Sequence, residues 1–271
     1  MEKKPVFAVI GGDRRQFFAA EFLKDAGYPV YTFAMAQGLP YADMKNIRAD
    51  IYLLPLPVSR DGMHLYAPES EERISLSDIK RDMPPDALVF AGLTDEKLWF
   101  DYAKSEYFAL QNALPTAEGA LLLAMQNRNS VLCGSSVGII GFGKIGKAVA
   151  ALFSAVGAEI FVFARRDEVR AEIRALGYTA YGMDALSTEI QKCRLLINTV
   201  PERILDERML SQLSKDTFFL ELASSPYGAD PDTVCRLGVR NLIASGIPGR
   251  FFPKTAGIAV AKTVLHSITK G

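Results

Sequence analysis

The sequence has no charge imbalance, no paired cysteines, few histidines and no long apolar run, and each shortage closes a class of function. Lys plus Arg equals Asp plus Glu at 31 each, so no net field gathers a polyphosphate, and nucleic acid is disfavoured as a main partner. Cys133, Cys193 and Cys235 stand far apart with no CxxC pair. That removes the zinc-ribbon and dithiol-redox readings, and no metal site is expected. A reducing, cytoplasmic setting suits such a chain. The apolar stretch Val6 to Ile10 stops at Gly11-Gly12-Asp13, and Ala120 to Met125 is little longer. Both fall far below the roughly 20 residues a bilayer needs, so neither a signal peptide nor a membrane span is expected. His64 and His266 are the only histidines, which narrows the choice of a general base.

What is present points to a globular α/β protein. With 271 residues, 49% of them hydrophobic, two domains of ordinary size are expected. Shifting the sequence by 130 positions aligns Ile10–Ala34 with Ile140–Ala164 without a gap. Gly11, Ala20, Gly27, Phe33 and Ala34 fall on Gly141, Ala150, Gly157, Phe163 and Ala164. Each segment reads as strand, tight turn, helix and strand. The fold class expected is therefore α/β, with two Rossmann-like or flavodoxin-like parallel-sheet domains joined by a connecting helix. The first domain spans 1–127 and the second 131–253. The amphipathic tail, 255–271, is a candidate to complete the first.

In the first domain, strands are expected at Val6–Ile10, Val30–Phe33, Ile51–Leu54, Ala87–Ala91 and Tyr107–Leu110, with a helix near Asp95–Lys104. The polar, proline-bearing stretch from Pro55 to Pro85 reads as an excursion over the surface. Pro115 suits the first turn of a connecting helix that runs to about Asn127, with Thr116 and Glu118 in that turn. In the second domain strands are expected at Val137–Ile140, Glu159–Phe163, Leu195–Asn198, Thr217–Leu222 and Asn241–Ala244.

Gly141-Phe142-Gly143-Lys144-Ile145-Gly146 is a GxGxxG that follows a strand and opens a helix, the context that makes this motif a dinucleotide fingerprint. The first glycine permits a tight turn, the second admits the pyrophosphate, and the third lets helix and strand pack closely. In the first domain Asp13 and Gln16 replace the second and third glycines, so no second dinucleotide site is expected there. The second strand of the fingerprint ends in Ala164-Arg165-Arg166 rather than in a carboxylate. Two guanidiniums suit the 2′-phosphate of NADP; NAD remains open, as does an ordinary solvated turn. Asp167 is a candidate cap for the helix that follows. Thr199 and Pro201, at the next strand end, are further cofactor candidates.

Arg14 and Arg15 at the end of the first strand, and Arg250 and Lys254 near the tail, are cations placed to hold a carboxylate substrate. Equally, one arginine can pair with Asp13 or Glu21. Thr116 is a candidate substrate contact. Lys254, just before the tail helix, and Glu118 are candidates for the base. Glu118 can equally serve the dipole of the connecting helix.

Several of these motifs occur together in a recognisable order: Gly11-Gly12-Asp13-Arg14-Arg15-Gln16, Asn112 to Ala120, the glycine fingerprint, and Pro253-Lys254-Thr255-Ala256-Gly257. Over nearly its whole length the chain resembles the dipicolinate synthase A-subunit family. That resemblance implies oxidation of a small dicarboxylate, dihydrodipicolinate, to dipicolinate with NADP. It also implies a partner, a flavoprotein-like B subunit, in the mother-cell cytoplasm of a sporulating bacterium. Glu221 stands where the family carries an aspartate, and no role is read from it. Two other readings stay open: a reductase or dehydrogenase of another small carboxylic acid, and a non-enzymatic subunit that binds NADP(H). Val131 to Cys133 or the tail helix offers an apolar seam for a homo-oligomer, or equally for a core.

Overall fold

In the computed structural model, which describes residues 4–270, two compact units are found: Met1–Asn112 with Pro248–Gly271, and Ala113–Ile247. The first contains β1 (Phe7–Ile10), α1 (Arg14–Asp25), β2 (Val30–Phe33), β3 (Ile51–Leu53), α2 (Leu76–Asp82), β4 (Leu88–Ala91) and β5 (Phe100–Asp101). These strands pair in parallel in the order β2-β1-β3-β4-β5, the flavodoxin-like winding. Neighbouring residues on a strand face opposite ways, and the core divides accordingly. Phe7 and Val9 pack with Ala19, Ala20 and Leu23 of α1, whereas Ala8 and Ile10 pack with Met44, Tyr52 and Ile79 on the other side.

Three local expectations for this half are corrected. The stretch from Pro55 to Pro85 is no mere surface excursion, because Val58, Leu65 and Ile74 are buried in the core. Antiparallel bridges Ser59↔Leu65 and His64↔Ser75 hold it there. Single apolar residues separated by polar ones supply those plugs, a pattern without helical or strand periodicity. Asp95–Lys104 is not a helix but turns, β5 and the 3-10 turn Tyr102–Lys104. Tyr107–Leu110 is not a strand; it belongs to α3 (Glu106–Gln126), a helix that continues through Pro115. A short apolar run does not distinguish strand from buried helix, and the helix-favouring Glu, Ala, Leu and Gln around Pro115 outweigh the one backbone bond that proline removes.

The second unit follows with β6 (Ser136–Ile140), α4 (Lys144–Ala155), β7 (Glu159–Phe163), α5 (Asp167–Ala175), β8 (Thr179–Tyr181), α6 (Leu186–Glu189), β9 (Leu195–Asn198), α7 (Glu207–Ser211), β10 (Phe218–Glu221), α8 (Pro231–Arg236) and β11 (Asn241–Ile243). All six strands are parallel, in the order β11-β10-β9-β6-β7-β8, which is the Rossmann winding. Ile140 lies level with Phe163 on one neighbour and with Asn198 on the other, so three strand ends form one edge. The internal repeat is real in three dimensions. Gly11 and Gly141 both take positive φ (+62° and +91°) at the first turn, as do Gly27 and Gly157 (+80° and +83°) at the second.

The chain closes with α9 (Ile247–Phe251) and α10 (Pro253–Lys270). Ala259, Val260, Ala261 and Val264 of α10 are buried against the α1 residues named above, inside the first unit. Gly257 allows this approach: a Cβ there would collide with the Arg15 carbonyl oxygen and lie 2.9 Å from Phe18 Cβ. Among the described residues, no helix is long and apolar enough to cross a membrane. Alanine is the better helix former by about 1 kcal/mol, yet Gly257→Ala is expected to cost about 1–3 kcal/mol in urea unfolding because the helices must separate. An unchanged or raised stability would contradict the close packing of α1 on α10.

Candidate functional site

The turn from β6 into α4 is shaped by glycine at each key position. Gly141 bends the chain at φ +91°, and a side chain there would lie 2.5 Å from Val200 Cγ2. A Cβ on Gly146 would strike the Gly141 carbonyl oxygen, so the first turn of α4 sits directly against the end of β6. Gly143 differs, because a Cβ there would meet nothing within 4 Å. It leaves an open cradle beside the helix start. Gly143 is the N-cap of α4, with no side-chain cap and no acid in the first turn, which leaves the positive end of the helix to an external anion. Lys144, Ile145 and Gly146 form that first turn, and Phe142 just before it is buried. These features fit a dinucleotide diphosphate.

A cavity of about 370 Å³ opens from this turn. Gly141, Phe142 and Gly143 form one wall, Ala164, Arg165 and Arg166 another, and Val169, Met183, Val200 and Ile204 give apolar surface. Arg165 and Arg166 are exposed, and among the described residues neither is paired with a carboxylate. Asp167 is the first residue of α5 and not its cap, which is Arg166. Its carboxylate pairs with Arg170, and Arg170 Nη1 also donates to the Ala164 and Arg165 carbonyls at 2.9 and 2.7 Å. Arg170 thus fixes the turn and occupies its nearest acid. Glu202, from the loop after β9, lines the same cavity; no motif in the sequence signals it. Thr199 donates its hydroxyl to the Ile140 carbonyl at 2.8 Å and so underpins the glycine turn, while Pro201 is exposed beyond it.

Asn198 and its strand end read as cofactor candidates and no role is read from Glu221, but sequence reasoning does not foresee that the two are bonded to each other. Asn198 and Glu221, at the ends of β9 and β10, are 0% and 1% exposed. Asn198 Nδ2 donates to Glu221 Oε1 at 2.7 Å and to the Val200 carbonyl at 2.9 Å. Glu221 also accepts from the Ala223 N–H at 2.9 Å and the Gly228 N–H at 2.8 Å. One buried carboxylate thereby ties both strand-end loops together. The only sequence signal was an acid closing an apolar strand.

The substrate-side candidates in the first unit separate by environment. Arg15 donates to both carboxylate oxygens of Asp13 at 2.8 Å and to the Leu56 carbonyl; burial and Asp13 act on it in opposite directions, and its pKa is raised. Asp13 also caps α1 through the Arg15 N–H, and Gln16 is buried with its amide donating to the Leu53 carbonyl. The substituted glycine positions thus build structure. Arg14, Arg250 and Lys254 are exposed; Arg14 rests over Phe18 and Arg250 over Phe251. Lys254 does not precede α10 but lies in its first turn. Thr116 is buried and Glu118 exposed, both in the middle of α3 rather than in a first turn, so Glu118 does not serve a helix N-terminus. His64 is bonded through Nδ1 to Asp61 at 2.7 Å, and His266 stacks on Tyr107 with centroids 4.5 Å apart.

A Rossmann sheet with this turn fits a dinucleotide, and the match of residues 118–227 to the D-isomer specific 2-hydroxyacid dehydrogenase NAD-binding domain places the chain among nicotinamide-nucleotide oxidoreductases. Residues 6–110 match the N-terminal domain of the dipicolinate synthase A-subunit. The dipicolinate synthase A-subunit of Bacillus subtilis (strain 168) is 30% identical over 278 residues, covering 95% of this chain and 93% of that protein. The crystal structure of the dipicolinate synthase A-subunit from Bacillus halodurans superposes with a TM-score of 0.90 at 25% identity, over 100% of both chains. That of its Bacillus subtilis counterpart gives 0.87 at 27%, over 100% of this chain and 97% of the other. The chain belongs to the dipicolinate synthase A-subunit family.

Two outcomes test the site. Gly143 has φ −80° and ψ −162°, which alanine also adopts, so Gly143→Ala should keep the melting temperature while weakening NADPH and NADH at least about tenfold; unchanged affinity would refute the cradle. Burial raises the pKa of Glu221 above 4.5 against the bonds from Gly228, Asn198 and Ala223. The unfolded chain therefore ionises this group first, and its contribution to stability is full below pH 4.5 and falls as pH rises through the native value. The stability difference between wild type and Glu221→Gln should shift against wild type over that window in pH-resolved urea unfolding. A shift in the opposite direction would show the carboxylate to be stabilised as the anion.

Proposed function

We propose that this chain oxidises dihydrodipicolinate to dipicolinate with NADP, acting with a flavoprotein-like B subunit in the mother-cell cytoplasm of a sporulating bacterium. The observation that carries the reading is family membership along the whole chain combined with an intact glycine turn. NADP preference is supported by Arg165 and Arg166, exposed in the cavity of that turn while Arg170 occupies Asp167. Two guanidiniums match a phosphate monoester better than a ribose hydroxyl.

Aromatising the dihydropyridine ring removes one hydride and one proton. Nicotinamide, when bound, accepts the hydride. The start of α4 and the open face of Gly143 hold the diphosphate, and Thr199 keeps their turn in shape. Arg14, Arg250 and Lys254 are the exposed cations assigned to the two carboxylates, with Thr116 as a further contact and Arg15 acting through the Asp13 turn. Lys254 and Glu118 are the groups assigned to the proton. Because aromaticity drives the reaction, orientation of the ring is the larger demand on the protein. A hydroxy-acid dehydrogenase is supported by the match of the cofactor half. Such enzymes generally place a histidine at the alcohol, and residues 113–247 contain none, so that reading ranks second.

The test is an assay for dipicolinate from a dihydrodipicolinate source, with NADP or NAD and with or without the B-type partner, alongside fluorescence titration. Turnover with NADP is expected, and Arg165→Ala should weaken NADPH by about ten- to a hundredfold while sparing NADH. Equal loss for both nucleotides removes the 2′-phosphate assignment. Tight nucleotide binding without turnover in any pairing marks a regulatory role instead.

A further inference from the structure

The opposite edge of the second unit holds a cavity of about 540 Å³ that the dehydrogenase reading leaves unused. It lies where the strands begin: Ser136 opens β6, Glu159 opens β7, Arg194 precedes β9, Asp216 precedes β10 and Arg240 precedes β11. The five-residue β6 separates it from the glycine turn by roughly 15 Å, so it is no part of the dinucleotide pocket.

Three guanidiniums line it, Arg128, Arg194 and Arg240, against two carboxylates. Arg194 Nη1 donates to Asp216 at 3.2 Å, which leaves Glu159 as the one other acid at the rim. Arg240 Nη2 donates to the Asn127 carbonyl at 2.8 Å. Arg128 Nη2 donates to the hydroxyls of Ser130 and Ser135, each at 3.1 Å. Its Nη1 is buried and has no hydrogen-bond partner. A buried N–H without an acceptor costs about 1–3 kcal/mol, and like charges gathered in one hollow add to that cost. The surroundings of Arg128 record the strain: burial, then Arg194 and Arg240, push its pKa down, whereas Arg236, paired with Glu207, has its pKa raised.

We propose that this amino-edge cavity is a binding site for a phosphate-type oxyanion, held by Arg128, Arg194 and Arg240 with the Ser130 hydroxyl beside them. Such an anion neutralises the excess of guanidinium charge that Arg128, Arg194 and Arg240 bring to the cavity against Glu159 and Asp216. Arginine suits the role because its planar fork meets two oxygens at once. The cavity exceeds what inorganic phosphate fills, leaving room for an organic group esterified to it.

The test is thermal denaturation of the full chain titrated with inorganic phosphate and, separately, with glycerol 3-phosphate, at ionic strength held constant with chloride. Wild type and the Arg165→Ala/Arg166→Ala double variant, which lacks the competing cations of the nucleotide pocket, should both show saturable stabilisation. Arg128→Met and Arg240→Gln should each raise the apparent dissociation constant at least about tenfold. Glycerol 3-phosphate binding more tightly than inorganic phosphate identifies an ester as the ligand, and the reverse order identifies the free ion. If Arg128→Met does not fold, Arg240→Gln decides, since it leaves the bonds from Arg128 to the serines in place. In phosphate-free buffer, Arg240→Gln should melt no lower than wild type, because it relieves repulsion; a lower melting point with an unchanged phosphate response would mark a purely structural cluster. Absence of saturable stabilisation in wild type, or its loss in the double variant with retention in Arg128→Met, overturns the proposal.

Discussion

The contact of Gly146 with the Gly141 carbonyl is the constraint from which the cofactor half follows. With no side chain between them, the first turn of α4 lies directly on the end of β6, so the helix start, rather than a loop, forms the floor of the open face at Gly143. Everything at this edge is then a matter of bracing. Thr199 fastens the neighbouring strand end to Ile140, and Glu221 draws the loops after β9 and β10 onto one buried carboxylate through Asn198, Ala223 and Gly228. A carboxyl group in that position is costly to bury unless its oxygens are filled, and here three N–H donors fill them, offsetting part of the burial that raises its pKa.

The first unit solves the same local problem without leaving room for phosphate. Its turn keeps the positive φ of Gly11 but puts Asp13 over the helix start, and that carboxylate then holds Arg15. A cap built into the chain replaces an anion from outside. The two strand-turn-helix-strand units thus differ in the residues at two glycine positions, one suited to binding and the other to self-sufficiency.

The legible parts of the fold were those with strong periodicity or special backbone demand. Strands such as Glu159–Phe163 and Leu195–Asn198 coincide with their expected bounds, and the glycine fingerprint announced its turn because only glycine meets those steric conditions. The region around α3 was misread because Tyr107–Leu110 is too short an apolar run to reveal its period, and Pro115 looked like a beginning when it is an interior residue. The Asn198–Glu221 pair and Glu202 were invisible for a different reason. Their roles depend on strand register and loop course, which no local pattern encodes. The bond between Arg15 and Asp13 was foreseen only as one of two alternatives, since sequence proximity permits an ion pair without requiring it.

Because α10 supplies part of the core against α1, the first unit is assembled from segments more than 130 residues apart in the chain, while residues 113–247 of the second are contiguous. During synthesis the usual order of maturation, amino-terminal part first, is therefore inverted. The nucleotide-binding half has all of its sequence before the other half does, and α1 can pack on its own sheet but lacks its contact with α10 until residues 253–270 are made.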